Sequence, residues 1–488
     1  MRDLRPSAAL FLTIVIAAGL AGGGLGAADP RRQPLPAAVQ PVRPITWSEA
    51  SRTIDRFEAA LPQSLRDIPR SERPAKWPAW LASRRQELAA RVAQGDVDSV
   101  VNLLLFGTSF TTEPRITSAR LRELDQRWKS GDQSVEQTLL RGYQQRATDL
   151  VAAAARPRAD ERMQEVRRVL AVHGHDLFTA TGRRSALDYL FANVARVGEE
   201  AAKLAAALEA LRGAPDATAG FAERSRIFRD RGLAGDSSVL TQFAVDRALC
   251  GLRERAVLPA RSVSRVAIVG PGLDFADKQE GFDFYPPQSL QPFTVMDSLF
   301  RCELAPRSSL RVTTLDISPR VNAHLRAAAS RGAYRFVLPW PTDAGWTDDA
   351  AVYWKQAGDR IGVPFAVAGK AAPAVVRARG VAVSADMIRR VRPLNASIVS
   401  DRLELGDGER FDLVLATNVL LYYDTFEQTL ALGSIAAMLR PGGVLLTNDA
   451  VLEVPDIPIH SQGYVNVIFS SRQGDGERMV WYLKPAAR

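Results

Sequence analysis

Apolar residues recur at three- and four-residue intervals from about Pro78 to Leu258, and the period changes at Arg265. The clearest helical stretch is SALDYLFANVARVGEEAAKLAAALEALRG. There Leu187, Leu190, Phe191, Val194, Val197, Leu204, Leu208 and Leu211 form one apolar face, and Gly213 stands where a C-terminal cap belongs. A second helix is expected to start at Asp96 as N-cap of VDSVVNLLLF and to end at Gly107. Residues 76–258 therefore read as an all-helical domain, and stripes of this kind are core rather than chemistry. Residues 29–75 are rich in Pro and Arg and read as a linker holding one helix, TWSEASRTIDRFEAAL.

Beyond Arg265 strand-like runs alternate with helix-like ones: VAIV, LRVTTLDI, NASIVS, FDLVLAT and GVLLTN. That alternation predicts parallel strands joined by crossover helices. The last two runs, YVNVIFSS and ERMVWYLK, flank a short RQGDG turn and predict a closing antiparallel hairpin. The expected fold class is α/β, a doubly wound sheet over 259–488 preceded by an all-α domain, with a small insertion at about 332–385.

A chain of 488 residues is too long for one ordinary core. Its 46% hydrophobic and 24% charged content suits a globular protein. The net charge of +9 points to an anionic partner only if the charge clusters, and the 63 basic residues, all but seven of them Arg, are scattered; nucleic acid is disfavoured. Cys250 and Cys302 exclude a thiolate metal cluster and leave room for one bridge if the protein is exported. His173 and His175 lack a nearby carboxylate pattern and read as a surface turn, so no metal is expected. Arg2 and Arg5, the apolar stretch from Ala8 to Ala21 and GGGLGAAD match the zones of a secretory signal ending at Ala28. An uncleaved membrane anchor is the alternative, with Arg31, Arg32 and Arg43 favouring a cytoplasmic body. Both place the protein outside the cytoplasm or at a membrane, apart from that last topology.

In a doubly wound sheet the ligand lies beyond the C-terminal ends of the strands, near the switch in strand order. The residues there are Gly270, Pro271, Gly272 and Asp274, then Asp316, then Asp401, then Asn418 and VLLYYD. Glycines let a ligand lie against the main chain. Asp316 can accept from both hydroxyls of a ribose, and Asp401 from an adenine amino group. Singly each has a bland reading, such as Asp316 preceding a helix; jointly they mark a nucleoside-type site.

These stretches, VAIVGPGLD, TTLDIS, FDLVLATNVLLYYD and MLRPGGVLLTND, resemble the class I S-adenosylmethionine (SAM) dependent methyltransferases over about residues 240–488. The resemblance implies a Rossmann-like seven-stranded sheet, SAM as cofactor, and Gly270, Pro271, Gly272, Asp274, Asp316, Asp401 and Asn418 as its contacts. NVLLYYD and the insertion are similar, more loosely, to chemotaxis-receptor glutamate methyltransferases, though Thr417 stands where that family commonly has Arg. A third glycine is also missing soon after Gly272. In its place runs an acidic and aromatic loop, with Asp274, Asp277, Glu280, Asp283, Phe275, Phe282, Phe284 and Tyr285, which reads either as a lid or as an aromatic-anchored surface loop. The implied reaction is in-line methyl transfer to an acceptor, protein or small molecule, with no catalytic residue assigned. Tyr422, Tyr423, Asp424 or His460 could help an acceptor that must lose a proton. A nicotinamide oxidoreductase is disfavoured, because the turn is GPGLDF and Asp316 lies 44 residues beyond Gly272. The other class of reading is a non-catalytic exported or membrane-associated scaffold that keeps the fold. Oligomeric state is left open.

Overall fold

The computed structural model describes residues 42–486 apart from 59–60, 116–117, 133, 213–231, 234–237, 278–280, 343, 368–375, 449 and 473–474. The expectations for the segment 1–28, for Gly213 as a cap and for Glu280 lie outside the described residues. Among those residues no helix is long and apolar enough to cross a membrane.

The N-terminal half is helical: α1 (Trp47–Arg56), α2 (Gln63–Arg66), α3 (Arg73–Phe106), α4 (Ser118–Lys129), α5 (Ser134–Ala154), α6 (Glu161–Val172), α7 (Ala180–Arg212) and α8 (Val239–Glu254). The helix expected to begin at Asp96 does not begin there. Asp96 lies inside α3, buried and 3.4 Å from Arg320 Nη2, while Gly107 does end the helix. An N-cap signal loses here to a continuous apolar face. Trp77, Trp80, Leu81, Leu88 and Val92 of α3 pack into the core that also holds the sheet, and Val97 to Leu105 pack into a separate helical core with α5, α6 and α7. One helix thus joins two cores.

The described part of the stretch read as a linker, from Val42 on, also belongs to the body. Strand β1 (Val42–Pro44) pairs antiparallel with residues 401–403, Ile45 and Ile54 are buried, and Trp47 meets Trp77 edge-on at 5.8 Å. Helix α8 belongs to the sheet core as well, so the cores do not divide at residue 258.

The C-terminal half runs β2 (Arg265–Val269), α9 (Gln291–Arg301), β3 (Arg311–Asp316), α10 (Pro319–Arg331), β4 (Tyr334–Pro341), α11 (Asp348–Gln356), β5 (Gly362–Phe365), β6 (Val376–Val383), α12 (Ala385–Ile388), β7 (Val391–Asn395), β8 (Asp401–Leu403), β9 (Phe411–Leu415), α13 (Thr425–Met438), β10 (Leu439–Thr447), β11 (His460–Ile468) and β12 (Gly476–Leu483). The main sheet has the order β11-β12-β10-β9-β2-β3-β7. Strands β10, β9, β2, β3 and β7 are parallel, and β12 and β11 close the edge as an antiparallel hairpin. The insertion is a three-stranded antiparallel sheet, β4-β6-β5.

One strand assignment changes. The third parallel strand is Val391–Asn395, not NASIVS, because VRPLN pairs with β3 from Val312↔Val391 to Asp316↔Asn395. It is an edge strand, where a proline and exposed charges are tolerated and no apolar run is needed.

Register levels the C-terminal ends. Val269 lies beside Leu315, Asp316 beside Asn395, Ile268 beside Leu415 and Leu415 beside Leu446. The chain leaves β2 toward β3 on one side and returns at β9 on the other. That is the switch point.

Candidate functional site

A cleft with about 840 Å³ of empty space, part of it open to solvent, lies over this switch point. Its floor is the Gly270-Pro271-Gly272 turn, and its walls include Asp316, Ser318, Ala396, Ile398, Thr417, Asn418, Tyr422 and Tyr423. Gly270 and Gly272 have φ of +64° and +73°, a region side chains resist. A Cβ on Gly270 would sit 2.7 Å from Val419 Cγ2, so the turn is also closed to side chains from above.

Asp316 ends β3 and is 9% exposed. Its Oδ1 accepts the Ser318 N–H at 2.7 Å, and the Gly272 N–H also donates to the carboxyl. Burial nonetheless outweighs these bonds and the Arg320 charge, and the carboxyl is pushed up to about 7. Ser318 then caps α10 by accepting the Val321 N–H at 3.1 Å, with Pro319 opening the helix. The site acid and the helix behind it are thus fixed by one short segment, LDISP.

Asn418 ends the β9 side in a left-handed conformation, φ +55°. Asn tolerates this better than other side chains. Asn448, just past β10, holds it there: its Oδ1 accepts the Asn418 N–H at 2.7 Å and its Nδ2 donates to Asn418 Oδ1 at 2.6 Å. Nearby, Arg91 of α3 donates to the Tyr422 carbonyl at 2.8 Å, and burial pushes the Tyr423 hydroxyl above its ordinary value.

Of the residues singled out in the sequence, Gly270, Pro271, Gly272, Asp316 and Asn418 come together in this cleft, with Tyr422 and Tyr423 beside them. Asp401 does not. It opens β8, with its carboxylate paired to Arg85 and accepting the Ser397 N–H at 2.9 Å. The third strand ends earlier than expected, and Ala396 and Ile398 take the place intended for Asp401. Asp274 is buried outside the lining, bridged to Gln288 through backbone bonds of 2.7 and 3.3 Å. Asp424 caps α13, and His460 is exposed on the edge strand, 3.6 Å from Glu453.

The acidic and aromatic loop is an anchor rather than a lid. Arg162 of α6, buried, donates to the carbonyls of Phe275, Asp283 and Tyr285, and Phe275 packs in the helical core. The Asp283 carboxylate accepts the N–H groups of Thr108 at 3.0 Å and Ser109 at 2.8 Å. Residues that read as solvated acids are thus inward-facing partners of the helical half.

Sequence reasoning missed the helical wall of the cleft: Val92 from α3, Leu233, and Thr241 and Gln242 from α8. It also missed Gln291, whose Nε2 donates to Thr417 Oγ1 at 2.7 Å and ties α9 to the end of β9. These lie in ordinary helical pattern, and only the position of α8 directly before the first strand hinted at them. Among the described lining residues there is no Lys, Arg or His. The donors and acceptors present suit a nucleoside carrying a polar tail: a buried carboxyl for vicinal hydroxyls, a main-chain turn lining the cleft, and a buried Gln242 Nε2 with no partner among the described residues.

No protein-family model matches the chain, and no curated protein matches it. Among solved structures it is similar to the N-methyltransferase NodS of Bradyrhizobium japonicum WM9, at 13% identity over 49% of this chain and 97% of that one, TM-score 0.23. It is similar to the magnesium protoporphyrin IX methyltransferase ChlM of Synechocystis PCC 6803 with bound SAM, at 11% identity over 57% and 89%, TM-score 0.24. It is also similar to TrmN of Thermus thermophilus, at 15% identity over 50% and 52%, TM-score 0.23. The strand order, the level strand ends and the cleft at the switch point define a mixed α/β domain with a seven-stranded, mostly parallel sheet.

Proposed function

We propose that the protein is a SAM-dependent methyltransferase. The observation that carries this is the pairing of the cleft-lining Gly270-Pro271-Gly272 turn with the buried Asp316 carboxyl one strand away, at the switch point of a sheet closed by an antiparallel hairpin. The resemblance of TTLDIS and MLRPGGVLLTND to class I methyltransferases, and bound SAM in a similar structure, support the same cofactor.

On this reading Asp316 accepts the two ribose hydroxyls, the main chain of Gly270 to Gly272 admits the middle of the cofactor, and Ala396 and Ile398 flank the base. When bound, the cofactor supplies an electrophilic methyl group on a sulfonium, open to in-line displacement. Asn418, fixed by Asn448, and Tyr422 and Tyr423 shape the space where an acceptor approaches. Catalysis by orientation and desolvation needs no dedicated triad. Among the described lining residues only an aspartate, Asp316, and two tyrosines, Tyr422 and Tyr423, carry an acidic side chain and none carries a basic one, which favours an acceptor whose nucleophile is already ionised, as a carboxylate is at neutral pH. The looser likeness to receptor glutamate methyltransferases agrees with a protein carboxylate.

The Cys250–Cys302 disulfide supports an oxidising compartment and so the exported or membrane-associated placement. The same bond favours the second reading, a scaffold without turnover, because SAM is made in the cytoplasm. Calorimetry of the full chain with SAM and S-adenosylhomocysteine separates them. Binding that Asp316→Ala weakens supports the enzyme; no binding to either compound overturns it.

A further inference from the structure

The described lining of the cleft has no cation, yet an elongated nucleoside cofactor that ends in an amino acid brings a carboxylate with it. The group best placed to receive that carboxylate comes from the helical half. Gln242 sits in the first turn of α8, is 2% exposed and lines the cleft. Its Oε1 accepts the Thr294 hydroxyl at 2.7 Å. Its Nε2 is buried and has no partner among the described residues. An orphaned buried donor costs on the order of 1–3 kcal/mol, and a ligand acceptor reaching this cleft wall would remove that cost.

Placement gives the direction. Asp316 lies on β3, to one side of the glycine turn, whereas Thr294 and Gln291 lie in the first turns of α9, which bonds through Gln291 to Thr417 at the end of β9 on the other side. A ligand with its ribose at Asp316 that crosses the glycine turn therefore ends beside Gln242. The first turn of α8, capped by Ser238 accepting the Thr241 N–H at 3.1 Å, adds the positive end of a 16-residue helix. The amide is also held rigidly, since α8 is joined to α9 by the Cys250–Cys302 disulfide and by the Ser298 hydroxyl donating to Asp246 Oδ1 at 2.7 Å.

We propose that Gln242 Nε2 donates to the methionyl carboxylate of the cofactor, so that a residue of the helical half completes a site otherwise built by the sheet. This rests on the cofactor reading above. The test is calorimetry of the full chain with two probes, S-adenosylhomocysteine and 5′-methylthioadenosine, the second keeping adenine, ribose and thioether but lacking the amino-acid end. Gln242→Ala is expected to weaken S-adenosylhomocysteine roughly 10- to 100-fold, the range for a hydrogen bond to a charged group, and to leave 5′-methylthioadenosine within about twofold. Gln242→Glu should weaken the first probe further, because it sets carboxylate against carboxylate, and again spare the second. Gln242→Met, which fills similar volume without the amide, is run alongside, and unchanged 5′-methylthioadenosine binding shows that a variant is folded. Equal weakening of both probes, no weakening of either, or tighter binding by Gln242→Glu overturns the assignment. A wild-type protein that binds neither probe instead overturns the cofactor reading, and this one with it.

Discussion

Asp316→Asn is the perturbation that best separates a ligand-binding carboxyl from a structural one. In the free protein burial pushes this carboxyl up to about 7, against about 3.9 in an unfolded chain. The native state thus keeps a proton that the unfolded state has lost between those values. The stability contribution of the group is full below about pH 3.9 and is lost as pH rises through about 7, at about 1.4 kcal/mol per unit. Between pH 5 and pH 8 that amounts to about 3 kcal/mol. A ligand whose ribose hydroxyls donate to the carboxylate reverses the preference and expels the proton. At pH 6, one unit below the raised value, binding should release about 0.9 proton and be about tenfold weaker than at its plateau; above pH 8 release should approach zero.

Calorimetry of S-adenosylhomocysteine binding in two buffers of different ionisation enthalpy measures the released proton directly. Asp316→Asn cannot titrate, so it should show weak, pH-independent binding with no proton release from this site. Denaturation of both proteins without ligand should show their stability difference falling by about 3 kcal/mol from pH 5 to pH 8. Refutation is simple to recognise: no release at pH 6, or the same pH dependence in Asp316→Asn, would mean that the carboxyl is ionised in the free protein or does not meet the ligand.

Gly270→Ala should lower stability by about 2–4 kcal/mol, combining the left-handed backbone term with overpacking against Val419, whereas Gly332→Ala, at φ +61° with nothing within 4 Å, should cost only the backbone term of about 1–2 kcal/mol. Thermal melts of the pair check this, and equal losses would show that the Val419 contact yields. Arg162→Leu leaves the buried carbonyls of Phe275, Asp283 and Tyr285 without their donor and should cost about 3–5 kcal/mol, with new protease cuts between 271 and 288; a wild-type melt and digestion pattern would refute the anchoring role. Replacing both Cys250 and Cys302 by Ser opens a bridge spanning 52 residues, and should cost about 4 kcal/mol by the chain-entropy relation, read as a melting shift that reductant reproduces only in the wild type.

Legibility followed burial symmetry. Strands buried on both faces announce themselves as unbroken apolar runs, so VAIV, FDLVL and GVLLT were found, and the residues after them, Gly270, Gly272 and Asn418, were found with them. Asp316 was found because its strand ends in the acid itself. The edge strand VRPLN lacks such a run, and the buried turn NASIVS has one, so the third strand end was misplaced and Asp401 came with it. Charged residues misled for a related reason. Asp283 looks solvated in isolation, but its partners sit elsewhere in the chain: it meets Thr108 and Ser109, 174 to 175 residues away. No local pattern encodes such a pairing. Gln242 was hidden most completely, since a single amide on a helix carries no period, and its meaning depends on the donor that other residues leave unpaired.

The helical half is therefore not an appendage to a complete sheet domain. Helix α3 places Val92 at the cleft and Trp77, Trp80, Leu81 and Leu88 in the sheet core, then continues without a break into the helical core. The loop after β2, which starts at the floor of the cleft, is gripped at its far end by Arg162 and by the Thr108–Ser109 turn that follows α3. Any rotation of the helical core against the sheet must bend α3 or pull that loop, and both paths lead to the Gly270-Pro271-Gly272 turn or to the wall beside it. Packed elements transmit such displacements because interiors have little free volume to absorb them. The cleft and the helical core are therefore linked twice, through the unbroken helix α3 and through the loop after β2 that Arg162, Thr108 and Ser109 hold.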